Sequence, residues 1–253
     1  MSAYVLPRQS VYTGNLILVN AKHDYQEKEN NDLIPVAEFH ENIHMNRRAA
    51  ILLNELMKKI NGWSQIAPVS GWRSREEQQS IWNGSLAENG MEFTQKFVAA
   101  PGHSEHQTGL AIDLGLKQDN IDFICPDFPY EGICDTFRRL AAGYGFIERY
   151  PARKESVTGI GHEPWHFRYV GIPHAFLMAE NNLTLEEYTE FIKSYPYGGR
   201  CLHYLWNSLD ISVSYQKAAS WGDTVLAVSP QMPFSISGNN TDGFIITEWR
   251  AAK

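Results

Sequence analysis

The chain has 253 residues, with 29 acidic against 22 basic side chains, a formal net charge of −7, 43% hydrophobic residues and 20% charged residues. This is the composition of a folded chain long enough to bury a sizeable core, and without a long basic run it argues against a nucleic-acid surface. Three widely spaced cysteines, Cys125, Cys134 and Cys201, form neither a disulfide framework nor a CxxC zinc knuckle, and no run approaches the about 18 apolar residues of a membrane span.

The opening stretch MSAYVLPRQSVYTGNLILVN lacks a basic segment followed by a long apolar one, so no secretory leader is read there. With the cysteine usage, this predicts a cytoplasmic location. Residues 15–20 read as a first buried strand. From Met45 to Ile60, apolar residues Met45, Ala49, Leu52, Leu53, Leu56 and Ile60 recur at helical spacing, which predicts an amphipathic helix ending before Asn61-Gly62. APVSGWR, residues 67–73, reads as a short strand. Ser74 with Glu77 is a capping box that opens a helix to about Trp82.

Residues 109–114 predict an apolar strand, residues 134–142 a helix closed by GYGF, and WHFRYV, residues 165–170, another strand. Pro173 suits the first position of a short helix, and Thr184 with Glu187 caps one to about Lys193. Beyond YPYGGR the texture changes: ISVSYQ, TVLAV and FIITEW are short strands between turn-forming residues. The mixture of early helices and scattered strands predicts an α+β fold class. The expected division is a domain over 1–195 and a β-rich extension over 196–253, packed on it because so short a segment makes a marginal core.

GHSEHQTGLAIDLG, residues 102–115, holds two histidines three apart and an aspartate seven beyond the second. Side chains alternate along a strand, so Leu110, Ile112 and Leu114 share one face and Asp113 lies on the other. A carboxylate in an apolar strand is costly unless it is paired or binds a metal. His106 precedes the turn at Gly109 and can fold back toward Asp113; a pairing of Asp113 with a structural His or Arg is the competing reading. His103 follows Pro101-Gly102 and is assigned to the rim of the pocket.

GHEPWHF, residues 161–167, adds His166 within the predicted strand and Glu163 three residues before it. Two histidines and an aspartate leave one zinc position for water, and a carboxylate beside that water supplies a base. His162, in a glycine-containing loop, is read as solvated or supporting. Arg73 sits where strand meets helix and can either aim its guanidinium into a cleft, toward an oxyanion or a carboxylate, or pair at the surface with Glu76 or Glu77. Residues 152–162 read equally as a mobile flap or a solvated loop.

Three motifs in order, SGWRSREEQ, GHSEHQTGLAIDLG and EPWHFRYVG, resemble the zinc D-Ala-D-Ala metallopeptidases of glycopeptide resistance, the VanX, VanY and VanXY group. The resemblance covers roughly residues 15–172 and implies an α+β fold with a small central antiparallel sheet flanked by helices. It implies one zinc per chain on His106, Asp113 and His166, with Glu163 as general base and Arg73 as stabiliser of the transition state. It also implies Ser104 and Gln78 as substrate contacts, with Trp165, Trp72 and Tyr169 as walls, although Trp165 serves equally as core. The implied substrates are the dipeptide D-Ala-D-Ala and muramyl pentapeptide precursors ending in it, and the implied biology is vancomycin resistance. VanY-like motifs without a membrane segment, followed by an extension, look most like the dual-activity members. Trp72 stands where the family often has Tyr. Two alternatives remain at this level: an L-Ala-D-Glu endopeptidase of the same fold, and a zinc-binding domain without catalysis.

Overall fold

A computed structural model describes residues 2–26, 32–206, 208–229 and 231–251. Backbone contacts group the chain into two units: residues 19–184, and residues 1–18 together with 185–253. This differs from the boundary expected at 195/196, because the N-terminal residues and the helix after Thr184 join the C-terminal strands.

In chain order the elements begin with β1 (Ser2–Leu6), β2 (Leu33–Pro35), β3 (His44–Asn46) and α1 (Arg47–Ile60). Then come β4 (Ile66–Ser70), α2 (Arg75–Phe97), β5 (Ala111–Leu116), α3 (Gly132–Ala141) and β6 (Phe146–Tyr150). The larger unit ends with α4 (Glu155–Thr158), β7 (Glu163–Tyr169) and α5 (His174–Glu180).

The sheet of the larger unit has the order β4-β5-β7-β6, with every neighbouring pair antiparallel. The period of two along β5 decides what each face carries. Leu110, Ile112 and Leu114 enter the hydrophobic core together with Phe167 and Tyr169 of β7. Helices α1 and α3 cover that face. Asn46 caps α1 by accepting a hydrogen bond from the Arg48 backbone N–H, and Asn61 closes it in the left-handed conformation with φ 52°. Between these caps Ala49, Ala50, Leu53, Leu56 and Met57 are buried, and they meet Cys134, Phe137 and Ala141 of α3 in the same core.

Several sequence expectations shift. The run at residues 15–20 is buried but is not a strand. Its backbone is satisfied singly: Leu18 N–H donates to the Asn239 carbonyl at 3.1 Å, and Asn240 Nδ2 donates to the Leu18 carbonyl at 2.7 Å. The helix begun by the Ser74 capping box runs to Phe97, well past Trp82, with a kink at Gly90 where φ is 80°. Pro173 precedes α5 as its cap residue instead of opening it. Strand β6, absent from the sequence reading, forms the sheet edge beside β7.

The other unit contains α6 (Leu185–Ile192), β8 (Leu202–Trp206), β9 (Leu209–Lys217), β10 (Thr224–Val228), β11 (Phe234–Gly238) and β12 (Gly243–Ala251). The order β11-β12-β9-β8 makes one sheet, and β1 pairs with β10 in another. Leu6 and Val11 from the start of the chain share a core with Leu226, Val228, Phe244 and Ile246. The three C-terminal strands expected from sequence are present as β9, β10 and β12. Among the described residues no helix is long and apolar enough to cross a membrane.

Candidate active site

The register of the larger sheet brings the chemistry together. Asp113 of β5 lies directly opposite His166 of β7 on one side and Ser70 of β4 on the other, while Glu163 lies opposite Tyr150. His106 arrives from a short 3-10 turn, Glu105–Thr108, which ends at Gly109 in the left-handed region with φ 70°. That turn reverses the chain into β5 and lets His106 stand over Asp113. Gly71 must be glycine here, because a Cβ would lie 2.3 Å from the His44 carbonyl oxygen.

Within the cluster, His106 Nε2 is 3.1 Å from Asp113 Oδ2 and His166 Nδ1 is 2.9 Å from Asp113 Oδ1. The two imidazoles meet edge to face at 5.0 Å. His106 Nδ1 lies 2.6 Å from the Gly71 carbonyl; a carbonyl only accepts, so Nδ1 carries the proton and Nε2 presents its lone pair to the cluster. Glu163 Oε2 is 3.7 Å from His166 Nδ1. Arg73 reaches the same centre: Nη2 donates to Asp113 Oδ2 at 2.9 Å, Nε to Ser70 Oγ at 2.6 Å and Nη1 to Gln78 Oε1 at 3.3 Å. Phe123 lies against its guanidinium, 5.3 Å from the ring centre.

Burial makes the electrostatics strong. Asp113 is held well below the usual carboxylate range; burial works against this, and the charges and hydrogen bonds of His106 and His166 outweigh it. Burial lowers His106, and Arg73 lowers it further. Burial would lower His166 as well, but Asp113 overrides it and pushes the imidazole up to about 9. Glu163 is pushed up to about 8 by burial; His166 pulls against the shift and Asp113 adds to it. Asp113 is thus a buried carboxylate neutralised by the groups that surround it.

One ligand atom from each of His106, Asp113 and His166 lies within 4.8 Å of the others, and all three residues are buried. Two imidazole nitrogens and a carboxylate oxygen are a donor set that zinc accepts, so the residues present fit such an ion.

Eight of the residues singled out from sequence, Arg73, Gln78, Ser104, His106, Asp113, Glu163, Trp165 and His166, line one pocket, whereas Tyr169 lies in the hydrophobic core and Trp72 lines a neighbouring cavity. Gln78 also has a supporting task. Its amide is committed at both ends, accepting from Arg73 and donating to the Ala99 carbonyl at 2.8 Å, so it fixes the guanidinium and the pocket wall. Trp165 is both wall and core, near Phe97 at a centroid distance of 6.5 Å. His103 lines the neighbouring cavity, with Nδ1 2.8 Å from the Asn20 carbonyl. His162 stands apart from the metal cluster, 2.7 Å from the Tyr130 hydroxyl, which also donates to Glu148. Residues 152–162 include α4 and are fastened by a bond from Gly161 N–H to the Lys96 carbonyl at 2.8 Å; Ile160 joins the pocket wall.

Sequence reasoning missed Glu105. It is wholly buried: Oε1 lies 2.8 Å from Arg149 Nε and 2.7 Å from Arg168 Nη1, and Oε2 lies 3.6 Å from His166 Nε2. Burial alone would raise its pKa, but the two guanidinium groups hold it far below the usual range. The available signal was its place between Ser104 and His106.

The family model described as VanY, D-alanyl-D-alanine carboxypeptidase, matches residues 42–172. The bifunctional D-Ala-D-Ala dipeptidase and D-Ala-D-Ala carboxypeptidase VanXYC of Enterococcus gallinarum is 41% identical over 179 residues, covering 70% of this chain and 94% of the relative. The crystal structure of the vancomycin resistance D,D-dipeptidase VanXYg in complex with a D-Ala-D-Ala phosphinate analogue superposes with a TM-score of 0.94 at 48% identity, over 98% of this chain and 99% of that one. A mutant of the vancomycin resistance D,D-pentapeptidase VanY from a VanB-type cassette, solved with Zn(II), gives a TM-score of 0.56 at 30% identity over 69% of this chain and 98% of that one.

Proposed function

The chain belongs to the VanY family of D-alanyl-D-alanine carboxypeptidases, and on that premise we propose that it is a zinc peptidase cleaving the bond between two D-alanines. The substrates are the free dipeptide and the end of muramyl pentapeptide precursors, and the outcome is a contribution to vancomycin resistance. The names of the relative VanXYC and of the structural neighbour VanXYg support this choice of substrates. The observation that carries the reading is the convergence of His106, Asp113 and His166 with Glu163 and Arg73 in one buried pocket. A cytoplasmic location belongs to the same proposal, supported by three cysteines without a disulfide.

His106, Asp113 and His166 would hold one zinc ion, which when bound supplies a Lewis acid for the scissile carbonyl and acidity for water. Glu163 accepts a proton from the attacking water and delivers it to the departing amine of the terminal D-alanine. Its burial raises its affinity for a proton, which favours acceptance of that proton from water. Arg73 is held by Ser70, Gln78 and Asp113, so its guanidinium is already oriented to stabilise the oxyanion of the tetrahedral intermediate. Ser104 is buried in the pocket wall, and in this reading it would contact the terminal carboxylate.

The test is release of D-alanine from D-Ala-D-Ala and, separately, from a muramyl pentapeptide ending in D-Ala-D-Ala, with and without a chelator. Chelator-sensitive release from both is expected. Release from neither by zinc-loaded protein would overturn the proposal, and cleavage only between L-alanine and D-glutamate in cell-wall peptide would replace it with an endopeptidase.

A further inference from the structure

His166 has two ring nitrogens in different surroundings. Nδ1 faces the cluster, 2.9 Å from Asp113 Oδ1 and 3.7 Å from Glu163 Oε2. Nε2 points the other way, 3.6 Å from Glu105 Oε2. Both Nε2 and Oε2 are buried, and neither has a hydrogen-bond partner among the described residues. Two orphaned polar atoms facing one another in a dry interior are each costly alone.

An imidazole nitrogen that holds a metal must present its lone pair, so the ring proton then resides on the other nitrogen. For His166 that nitrogen is Nε2, and Glu105 Oε2 is the carboxylate oxygen that faces it. Glu105 cannot readily turn away, because Arg149 and Arg168 grip its other oxygen at 2.8 and 2.7 Å. Tyr150 packs on the His166 ring at 4.9 Å and restrains its tilt. His106 solves the same problem differently, with a backbone carbonyl at Gly71.

We propose that Glu105 is a positioning residue: clamped by Arg149 and Arg168, it accepts the Nε2 proton of His166 and so fixes the ring with Nδ1 turned toward the metal position. This rests on the reading of His106, Asp113 and His166 as a metal site. Glu105 lines the same pocket as those residues, and the role proposed for it is indirect. It acts through His166, raising the basicity of that ligand and lowering the freedom the ring must lose when a metal binds. A carboxylate in this position is a common partner of metal-ligating histidines, and its loss generally weakens metal affinity by about 10–100-fold.

The experiment compares zinc affinity of the wild-type chain and of Glu105→Gln by competition with a chromogenic chelator, with thermal unfolding run alongside. Glutamine keeps the shape and offers one oxygen but has no charge. The expected result is a folded variant whose zinc dissociation constant is weaker by about 10–100-fold, with KM for D-Ala-D-Ala nearly unchanged at saturating zinc. Unchanged zinc affinity in the folded variant would overturn the proposal.

A second measurement does not depend on the variant folding: nitrogen-15 spectra of the histidines in zinc-loaded wild-type protein. His166 coordinating through Nδ1, with a slowly exchanging proton on Nε2, is expected; coordination through Nε2 would overturn the proposal. If the wild-type chain binds no zinc, the metal reading itself falls and the role of Glu105 falls with it. That outcome is distinct from zinc binding that is indifferent to Glu105.

Discussion

Asp113→Asn is expected to leave a folded protein that no longer retains zinc and releases D-alanine at the background rate. Asp113 is the hub of the site. One oxygen meets His166 and the other meets both His106 and Arg73, all at 2.9–3.1 Å. Asparagine preserves the outline of the side chain but removes the charge that draws positive groups into the pocket. The affinity loss should exceed the roughly 10–100-fold caused by losing an outer hydrogen bond, because a ligand itself is lost. Removing one partner of a buried ion pair typically costs about 3–5 kcal/mol. Arg73 retains Ser70 and Gln78 as hydrogen-bond partners, so the stability loss should fall at or below the lower end of that range. Zinc content after dialysis and the unfolding midpoint are the two readouts. A variant that keeps stoichiometric zinc would remove Asp113 from the ligand set.

Glu163→Gln is expected to behave in the opposite way: zinc is kept and turnover is lost. Glu163 Oε2 stands 3.7 Å from His166 Nδ1, close enough to serve a water at the cluster but outside the set of three that converge. A positioned general base contributes about 10²–10⁴-fold, so kcat should fall by roughly 10³ with KM changed little. Glutamine can still accept a hydrogen bond from water but cannot take its proton. A rate within tenfold of wild type would mean that another group performs the transfer.

The contrast between these two substitutions also shows which parts of the site were legible in the sequence. Asp113 was readable because period-two alternation places it opposite Leu110, Ile112 and Leu114, and an acid there demands a partner. His166 and Glu163 were readable from their spacing beside that demand. Glu105 was not. An acid beside a histidine in a turn looks solvated, and the guanidinium that neutralises it at Arg149 lies 44 residues away in sequence. That arginine belongs to β6, a strand whose FIERY sequence has no clean alternation of apolar and polar residues. Gln78 was recognised as part of the site, but its role depends on Arg73 and the Ala99 carbonyl at once, and no local pattern records both.

The fold divides in the same manner. Helix α1 was predicted nearly to its ends because the apolar spacing and the Asn61 cap are local signals. Helix α2 is expected only to about Trp82, yet the chain continues through Asn83-Gly84 and turns aside only at Gly90, where tertiary setting outweighs intrinsic preference. Strand β1 pairs with β10 from Ser2↔Val228 to Leu6↔Thr224, a pairing across almost the whole chain. Its consequence, a unit made from both ends of the polypeptide, is invisible in either end alone.

The most direct test of the central claim is to strip the protein of metal and titrate it with zinc while following D-alanine release from D-Ala-D-Ala. The account predicts no release at the start, a linear rise, and a break at one equivalent of zinc per chain. Full activity in the stripped protein, or no release once one equivalent is bound, would contradict it.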